Sequence, residues 1–447
     1  MKSLNLIKTL IFCFFVVIYP QIGKSASDNS FIKCRVETDK GILPTGRPQR
    51  TIIKVSLDAP PPSYIKERLP VNLSIVLDRS GSMSGQKIEK AKDAAVEALR
   101  RLGQKDIFSL VVYDHNVDTI VPAQNARNTE WIESRIRSIY PGGNTALFGG
   151  VSQGASEIRK NAYSGYINRI ILLSDGIANV GPSSPDDLGR LGNALIKEGI
   201  SVTTIGVGTD YNEDLMTRLS QNSDGNSYFV ESSIDLPRIF AGELGDVLSV
   251  AAKQVTIVIE CREGVRPINI IGREGRIRGN TVELYLNQLY ANQEKYVLME
   301  VEVPPGKEGQ TINMVDVKIN YHNPITKKNE ASYGSVSAKF SSNERAVEKS
   351  VNVGVQREYH LNVNALVQDK AISLSDKGKK DEAVKELKQS SSVLREAGRK
   401  YEDTKLIKKA EEMEEQAKRI EKEGMTSRNR KALRTESYQL KNQQSKE

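Results

Sequence analysis

Five oxygen-bearing side chains stand out by type and by place. Asp78, Ser80 and Ser82 fall in Asp78-Arg79-Ser80-Gly81-Ser82, directly after an apolar run. Thr145 ends Gly142-Gly143-Asn144-Thr145, just before a helical pattern, and Asp175 follows the apolar run Ile170 to Leu173 in Ser174-Asp175-Gly176. No Cys or His accompanies them in these segments, so the chemistry they offer is that of a hard cation bound by oxygen, and soft or borderline metals are disfavoured. Ser80 and Ser82, two apart on one loop, can point both hydroxyls at a single ion, with Gly81 letting the chain turn between them. Three hydroxyls with two carboxylates suit Mg²⁺, which takes six oxygens and readily keeps waters; Mn²⁺ and Ca²⁺ are alternatives.

The elements around these segments must bring them to one edge. From Val71 the chain alternates apolar strands (Val71 to Leu77, Phe108 to Tyr113, Ile170 to Leu173, Val202 to Val207) with helical stretches such as Ile88 to Leu102 and Leu188 to Lys197. That alternation predicts right-handed crossovers and a doubly wound parallel sheet. Ligands of such sheets bind outside the carboxyl ends of the strands, where all three segments can converge. Before this unit, residues 31–37 and 51–57 alternate apolar and polar, and after it short β runs separated by turn signals read as an antiparallel sandwich. The economical arrangement is an α/β domain inserted into that β-sandwich, followed by a C-terminal helical region.

The three segments, in this order and at strand ends, resemble the metal-ion-dependent adhesion site of von Willebrand factor type A (VWA) domains over roughly residues 70–250. The resemblance implies that Ser80, Ser82 and Thr145 are inner ligands of the metal and that Asp78 and Asp175 support it through waters and hydrogen bonds. Neutral hydroxyls innermost would leave the cation under-neutralised and attractive to an Asp or Glu carboxylate of a protein partner. Phe240-Ala241-Gly242-Glu243-Leu244-Gly245 and the residues to Val250 also resemble bacterial exported A-domain proteins that continue into a β domain and helices. Some of these carry names taken from calcium-activated chloride channels; a pore is not expected here, because nothing after the first segment is long and apolar enough to span a membrane.

The expected domains are a signal peptide at 1–26, strands of the sandwich at 27–62, the VWA domain at 68–250, the rest of the sandwich at 251–342, a helical hairpin or small bundle at 343–424, and a polar, disordered tail at 425–447. The leader has Lys2 and Lys8, an apolar run of about ten residues and small residues after it, where a spanning helix needs about 20. Its removal takes Cys13 and leaves Cys34 and Cys261, which in an exported chain either form one disulfide or stay as buried thiols. A secreted or periplasmic location follows from the leader. The net charge of +8 in 447 residues is modest and spread out, a weak signal for anionic membrane or nucleic acid, and no nucleic-acid partner is expected.

Gly150-Val151-Ser152-Gln153-Gly154 matches a hydrolase nucleophile elbow, but that motif needs a strand before the Ser, and here a helix has already begun. With only His115, His322 and His360 to serve as base, no enzymatic activity is expected. Asp114 and His115 follow the second strand and could form part of the rim of the metal edge. The stripe Leu406, Ala410, Met413, Ala417 and Ile420 is either bundle core or the surface of an envelope scaffold that binds partners through its helices.

Overall fold

The structure is a computed structural model that describes residues 30–62, 68–162 and 165–446; the expected signal peptide lies outside the described residues. Three strands come first: β1 (Lys33–Thr38), β2 (Ile42–Pro44) and β3 (Gln49–Asp58). The α/β domain follows. It comprises β4 (Val71–Asp78), α1 (Gln86–Arg101), β5 (Ile107–Tyr113), β6 (Val117–Asn125), α2 (Thr129–Arg137), α3 (Leu147–Arg159), β7 (Ile167–Ser174), α4 (Pro185–Lys197), β8 (Ile200–Val207), α5 (Glu213–Asn222), β9 (Ser227–Val230) and α6 (Leu236–Val247). Its sheet runs β6-β5-β4-β7-β8-β9, and only β6 is antiparallel. Every residue of β4, β5, β7 and β8 is buried, which is why these strands read as continuous apolar runs rather than alternating ones. Ile75 and Leu77 pack with α1, α2 and α6 on one face, whereas Val76 packs with α3, α4 and α5 on the other.

The strand order reverses between β4 and β7. That switch point is where an open α/β sheet leaves a crevice at the strand ends, and Asp78 and Asp175 stand there on its two walls.

The second β part comprises β10 (Val250–Cys261), β11 (Arg266–Ile271), β12 (Arg276–Arg278), β13 (Thr281–Tyr290), β14 (Gln293–Val303), β15 (Thr311–Asn323) and β16 (Lys328–Ser341). One sheet runs β1-β3-β14-β11 and the other β12-β13-β10-β15-β16-β2. β3 pairs with β14 across the whole inserted domain, Asp58 opposite Glu294 and Gln49 opposite Val303. The α/β domain is thus an excursion from one sandwich. Cys34 on β1 and Cys261 on β10 belong to opposite sheets and are both free, buried thiols. Of the two alternatives left open by the sequence, the chain adopts the unbridged one.

The helical region is a small bundle rather than a hairpin. After α7 (Glu344–Lys349) come α8 (Val353–Asp376), α9 (Lys380–Lys400), α10 (Thr404–Glu423) and α11 (Ser427–Lys441). The stripe Leu406, Ala410, Met413, Ala417 and Ile420 is buried against Ala383, Leu387 and Leu394 of α9 and is bundle core, not a free docking surface. The expected disordered tail is corrected: 15 of its residues form α11, and a short strand β17 (Gln444–Lys446) then pairs with β14. α11 is held mainly by charge and hydrogen bonds. Arg430 pairs with Glu213 and Asp214 of α5 and with Asp376 of α8, and Arg434 joins Asp214 to Asp369. A helix docked this way carries little apolar signal in its sequence.

Candidate functional site

Asp78 ends β4 fully buried, and both of its oxygens are used. Oδ1 accepts from the backbone N–H of Ser80 at 2.8 Å, which bends the chain out of the strand, and Oδ2 accepts from Ser174 Oγ at 2.7 Å across the switch point. A single 3-10 turn, Gly81–Met83, follows, with Met83 fully buried in the core as its anchor. The turn thereby presents Ser80, 3 % exposed, on its inner side and leaves Ser82 open to solvent. The Ser80 and Ser82 hydroxyls lie 3.1 Å apart.

The other two segments close around this turn. Gly81 N donates to Gly143 O at 3.1 Å and Gly142 N to Arg79 O at 2.7 Å, so the two loops are stitched by backbone. Thr145 is fixed from β7's side: its N–H donates to Asn179 Oδ1 at 2.9 Å, and its carbonyl accepts from the Asn179 and Val180 amides. Asp175, fully buried, accepts from Ser82 Oγ at 2.7 Å and, on its other oxygen, from Lys87 Nζ at 2.5 Å.

Gly176 reveals how tightly the hydroxyls converge. A methyl group built on it would meet Thr145 Oγ1 at 3.2 Å, Ser82 Oγ at 3.4 Å and Ser80 Oγ at 3.7 Å. Three hydroxyls from two loops therefore surround one point beside a third loop, with two buried carboxylates behind them. All five residues singled out in the sequence meet here. Among the described residues no group of three or more His, Cys, Asp or Glu is placed to hold a metal; the donor set is two carboxylates and three hydroxyls, the composition a small hard cation takes. Burial pushes the Asp78 carboxyl up to about 6, with the Asp175 charge adding to the effect and hydrogen bonds from Ser80 and Ser174 opposing it. A cation beside it would reverse that balance.

Several supporting residues went unrecognised in the sequence. Ser174 and Asn179 lie inside or beside the motifs, yet their partners are visible only in three dimensions. Lys87, in the first turn of α1, lies just before the apolar spacing that marks this helix, and nothing along the chain points it at Asp175. Arg79 bridges to Asp114 at 2.9 Å and to Asp118, and the Asp114 carbonyl accepts from Ala146 N at 2.7 Å, so Asp114 braces the Thr145 loop. His115 is 56 % exposed beside Gly143 and lies on the rim. Exposed Ile177, next to Gly176, and Tyr140, just before Gly142, put apolar surface near the same opening.

The Gly-x-Ser-x-Gly match has a packing explanation. Ser152 lies within α3 and donates to the Phe148 carbonyl of its own helix at 2.8 Å. A methyl on Gly150 would strike Tyr113 at 2.6 Å and one on Gly154 would strike Val76 at 2.5 Å. The glycines let the helix lie close on the sheet.

Residues 72–242 match the family model of the von Willebrand factor type A domain. An uncharacterised protein of Synechocystis, sll0103, is 25 % identical over 318 residues, 69 % of this chain and 72 % of that one. Escherichia coli YfbK is 28 % identical over 215 residues, covering 47 % of this chain and 37 % of its own. Hamster inter-alpha-trypsin inhibitor heavy chain H2 is 30 % identical over 166 residues, where this chain spans 17 % of its length. A von Willebrand factor type A protein from Catenulispora acidiphila has the same fold across 89 % of this chain and 92 % of its own, with a TM-score of 0.69 at 17 % identity. The ArnB paralog VWA2 from Sulfolobus acidocaldarius does so across 91 % and 99 %, with a TM-score of 0.61 at 19 % identity. At such identities the likeness is one of fold, and it includes the sandwich and helices as well as the α/β domain. Residues 72–242 of this chain are a von Willebrand factor type A domain, a protein-interaction module.

Proposed function

We propose that this chain is a metal-dependent protein-binding module that works in the cell envelope or outside the cell and holds an acidic residue of its partner through a divalent cation. The observation that carries the reading is the convergence of the Ser80, Ser82 and Thr145 hydroxyls on one point beside the buried Asp78 and Asp175. Those three would hold Mg²⁺ and the two carboxylates would support it; when bound, the ion supplies an open coordination position for an oxygen ligand. The chain's own part is to orient the hydroxyls, through the Met83 anchor and the Asn179 and Asp78 hydrogen bonds, and to keep the carboxylates out of water. Exposed Ile177 and Tyr140 would then lie against the partner around its Asp or Glu. The placement outside the cytoplasm rests on the leader-like first 26 residues; no helix among the described residues is long and apolar enough to cross a membrane.

The test is partner capture from envelope extracts across salt concentration, with and without chelator. Capture should fail in chelator and change little in moderate salt, because a metal–carboxylate bond is local whereas diffuse charge is screened over about 8 Å. Capture that survives chelation and collapses in salt would overturn the reading. The alternative of a scaffold binding through its helices draws no support from the Leu406–Ile420 stripe, which is buried.

A further inference from the structure

Asp175 has its two oxygens engaged differently: Ser82 donates to one, and the Lys87 ammonium sits on the other at 2.5 Å. Lys87 reaches this position from the first turn of α1, with its side chain 30 % exposed and Asp175 at 0 %. On its far side is the end of β8, where a methyl on Gly208 would lie 3.8 Å from Lys87 Nζ. The ammonium is thus held between the metal-site carboxylate and the neighbouring strand end, on the wall of the crevice.

Resting on the metal-bridge reading above, we propose that Lys87 sets how the site shares its charge between cation and partner, trading metal affinity for carboxylate affinity. The argument is a count of charges. Asp78 and Asp175 contribute two negative charges and the three hydroxyls none. With Lys87 the protein's share is one negative charge, so a divalent ion leaves the filled site with one positive charge, which a single carboxylate cancels. Without Lys87 the filled site is already neutral, and an incoming carboxylate makes it negative. Because the two Asp side chains are buried, these charges are weakly screened and the count matters more than it would in water. Lys87 therefore weakens the hold on the metal and strengthens the hold on a monoanionic ligand. It also gives Asp175 a counter-charge when no metal is bound, so that two neighbouring carboxylates can stay buried.

The test uses the full chain with Mn²⁺ as the metal and acetate as the carboxylate probe. Lys87→Met keeps the stem and removes the charge, Lys87→Gln is a second neutral variant, and Lys87→Arg keeps the charge. Melting in chelator checks that each variant folds. Mn²⁺ affinity, read from its magnetic resonance signal, should rise on the order of tenfold in the neutral variants and stay near wild type in the Arg variant. Saturating acetate should tighten Mn²⁺ binding in wild type and Lys87→Arg, and do so much less in the neutral variants, since the two bindings are linked reciprocally. Neutral variants that bind Mn²⁺ no tighter than wild type, or that respond equally to acetate, would overturn the role of Lys87 while leaving the metal site standing. A wild-type chain that binds no Mn²⁺ would overturn the metal reading and this role together.

Discussion

Lys431 Nζ lies 2.6 Å from Glu213 Oε2, joining the last helix of the chain to the inserted domain more than two hundred residues earlier, with both side chains nearly fully buried. Lys431 also donates to the Tyr211 carbonyl at 2.7 Å and stacks its ammonium 4.5 Å above the Tyr211 ring. The contact fixes the VWA domain against the helical bundle, because α11 is tied to α8 through the same cluster. A buried pair of this kind is weak evidence for stability as a whole, yet removing one partner is costly, because the other is left buried with its charge less compensated. Glu213→Ala should therefore destabilise the chain by about 3–5 kcal/mol. Adding Lys431→Met should recover much of that loss. Denaturant unfolding of the two single variants and the double variant checks this; additive losses would show that the pair is not coupled.

The metal cradle gives a sharper variant than any of its ligands. Gly176 adopts a backbone conformation open to other residues, so Gly176→Ala should fold, and its methyl would occupy the point that three hydroxyls surround. Calorimetric titration should find Mg²⁺ binding lost in Gly176→Ala, in Asp78→Ala and in Ser80→Ala, with the melting transition retained in each, since the site lies at the sheet edge. Wild-type-like titration in all three would remove the site assignment.

How much of this was legible in the sequence depends on what each residue contacts. The parallel strands were readable because burial on both faces leaves uninterrupted apolar runs, as in Ile75, Val76 and Leu77. The site was readable because its residues sit where strands end, and strand ends of an open sheet share one edge. The edge strands β6 and β9 were missed: β6 is half-exposed and polar along most of its length, and β9 is only four residues long. Lys87 and α11 were missed for one common reason. A charge that pairs with a distant carboxylate looks, along the chain, the same as a charge in water. Arg430, Lys431 and Arg434 read as a frayed tail until Glu213, Asp214 and Asp369 are placed opposite them.

The two sandwich cysteines should be inert. Burial pushes the Cys34 thiol up to about 12, with the Asp58 charge adding to it, and pushes the Cys261 thiol up to about 11. The thiolate is the reactive form, so alkylation at pH 8 should be very slow in the folded chain and fast after unfolding. Peptide mapping by mass spectrometry would follow each site separately. Rapid native labelling of either residue, or recovery of a peptide in which Cys34 and Cys261 are bridged, would contradict the sandwich as described.

Lys253 offers a test of the junction between the sandwich and the inserted domain. It stands on β10, donates to the Tyr166 carbonyl at 2.6 Å just before β7, and burial lowers its ammonium to about 8. An unfolded lysine titrates near 10.4. Below about pH 8 both states carry the charge, and the folded chain bears the whole cost of burying it. Between about 8 and 10.4 the unfolded state binds more protons than the folded one, so this group makes stability rise with pH across that window. Lys253→Met should thus be more stable than wild type at pH 7, by roughly 1–2 kcal/mol after the lost hydrogen bond is allowed for. The advantage should shrink as pH climbs above 8 and reverse by about pH 10, where the burial cost is gone and the lost hydrogen bond to Tyr166 remains. The measurement is the difference in unfolding free energy between the two chains at several pH values, which cancels the titration of every other group. A constant difference across that range would mean that the Lys253 ammonium is not paying a burial cost, and that the junction is wetter than the packing around Tyr166 implies.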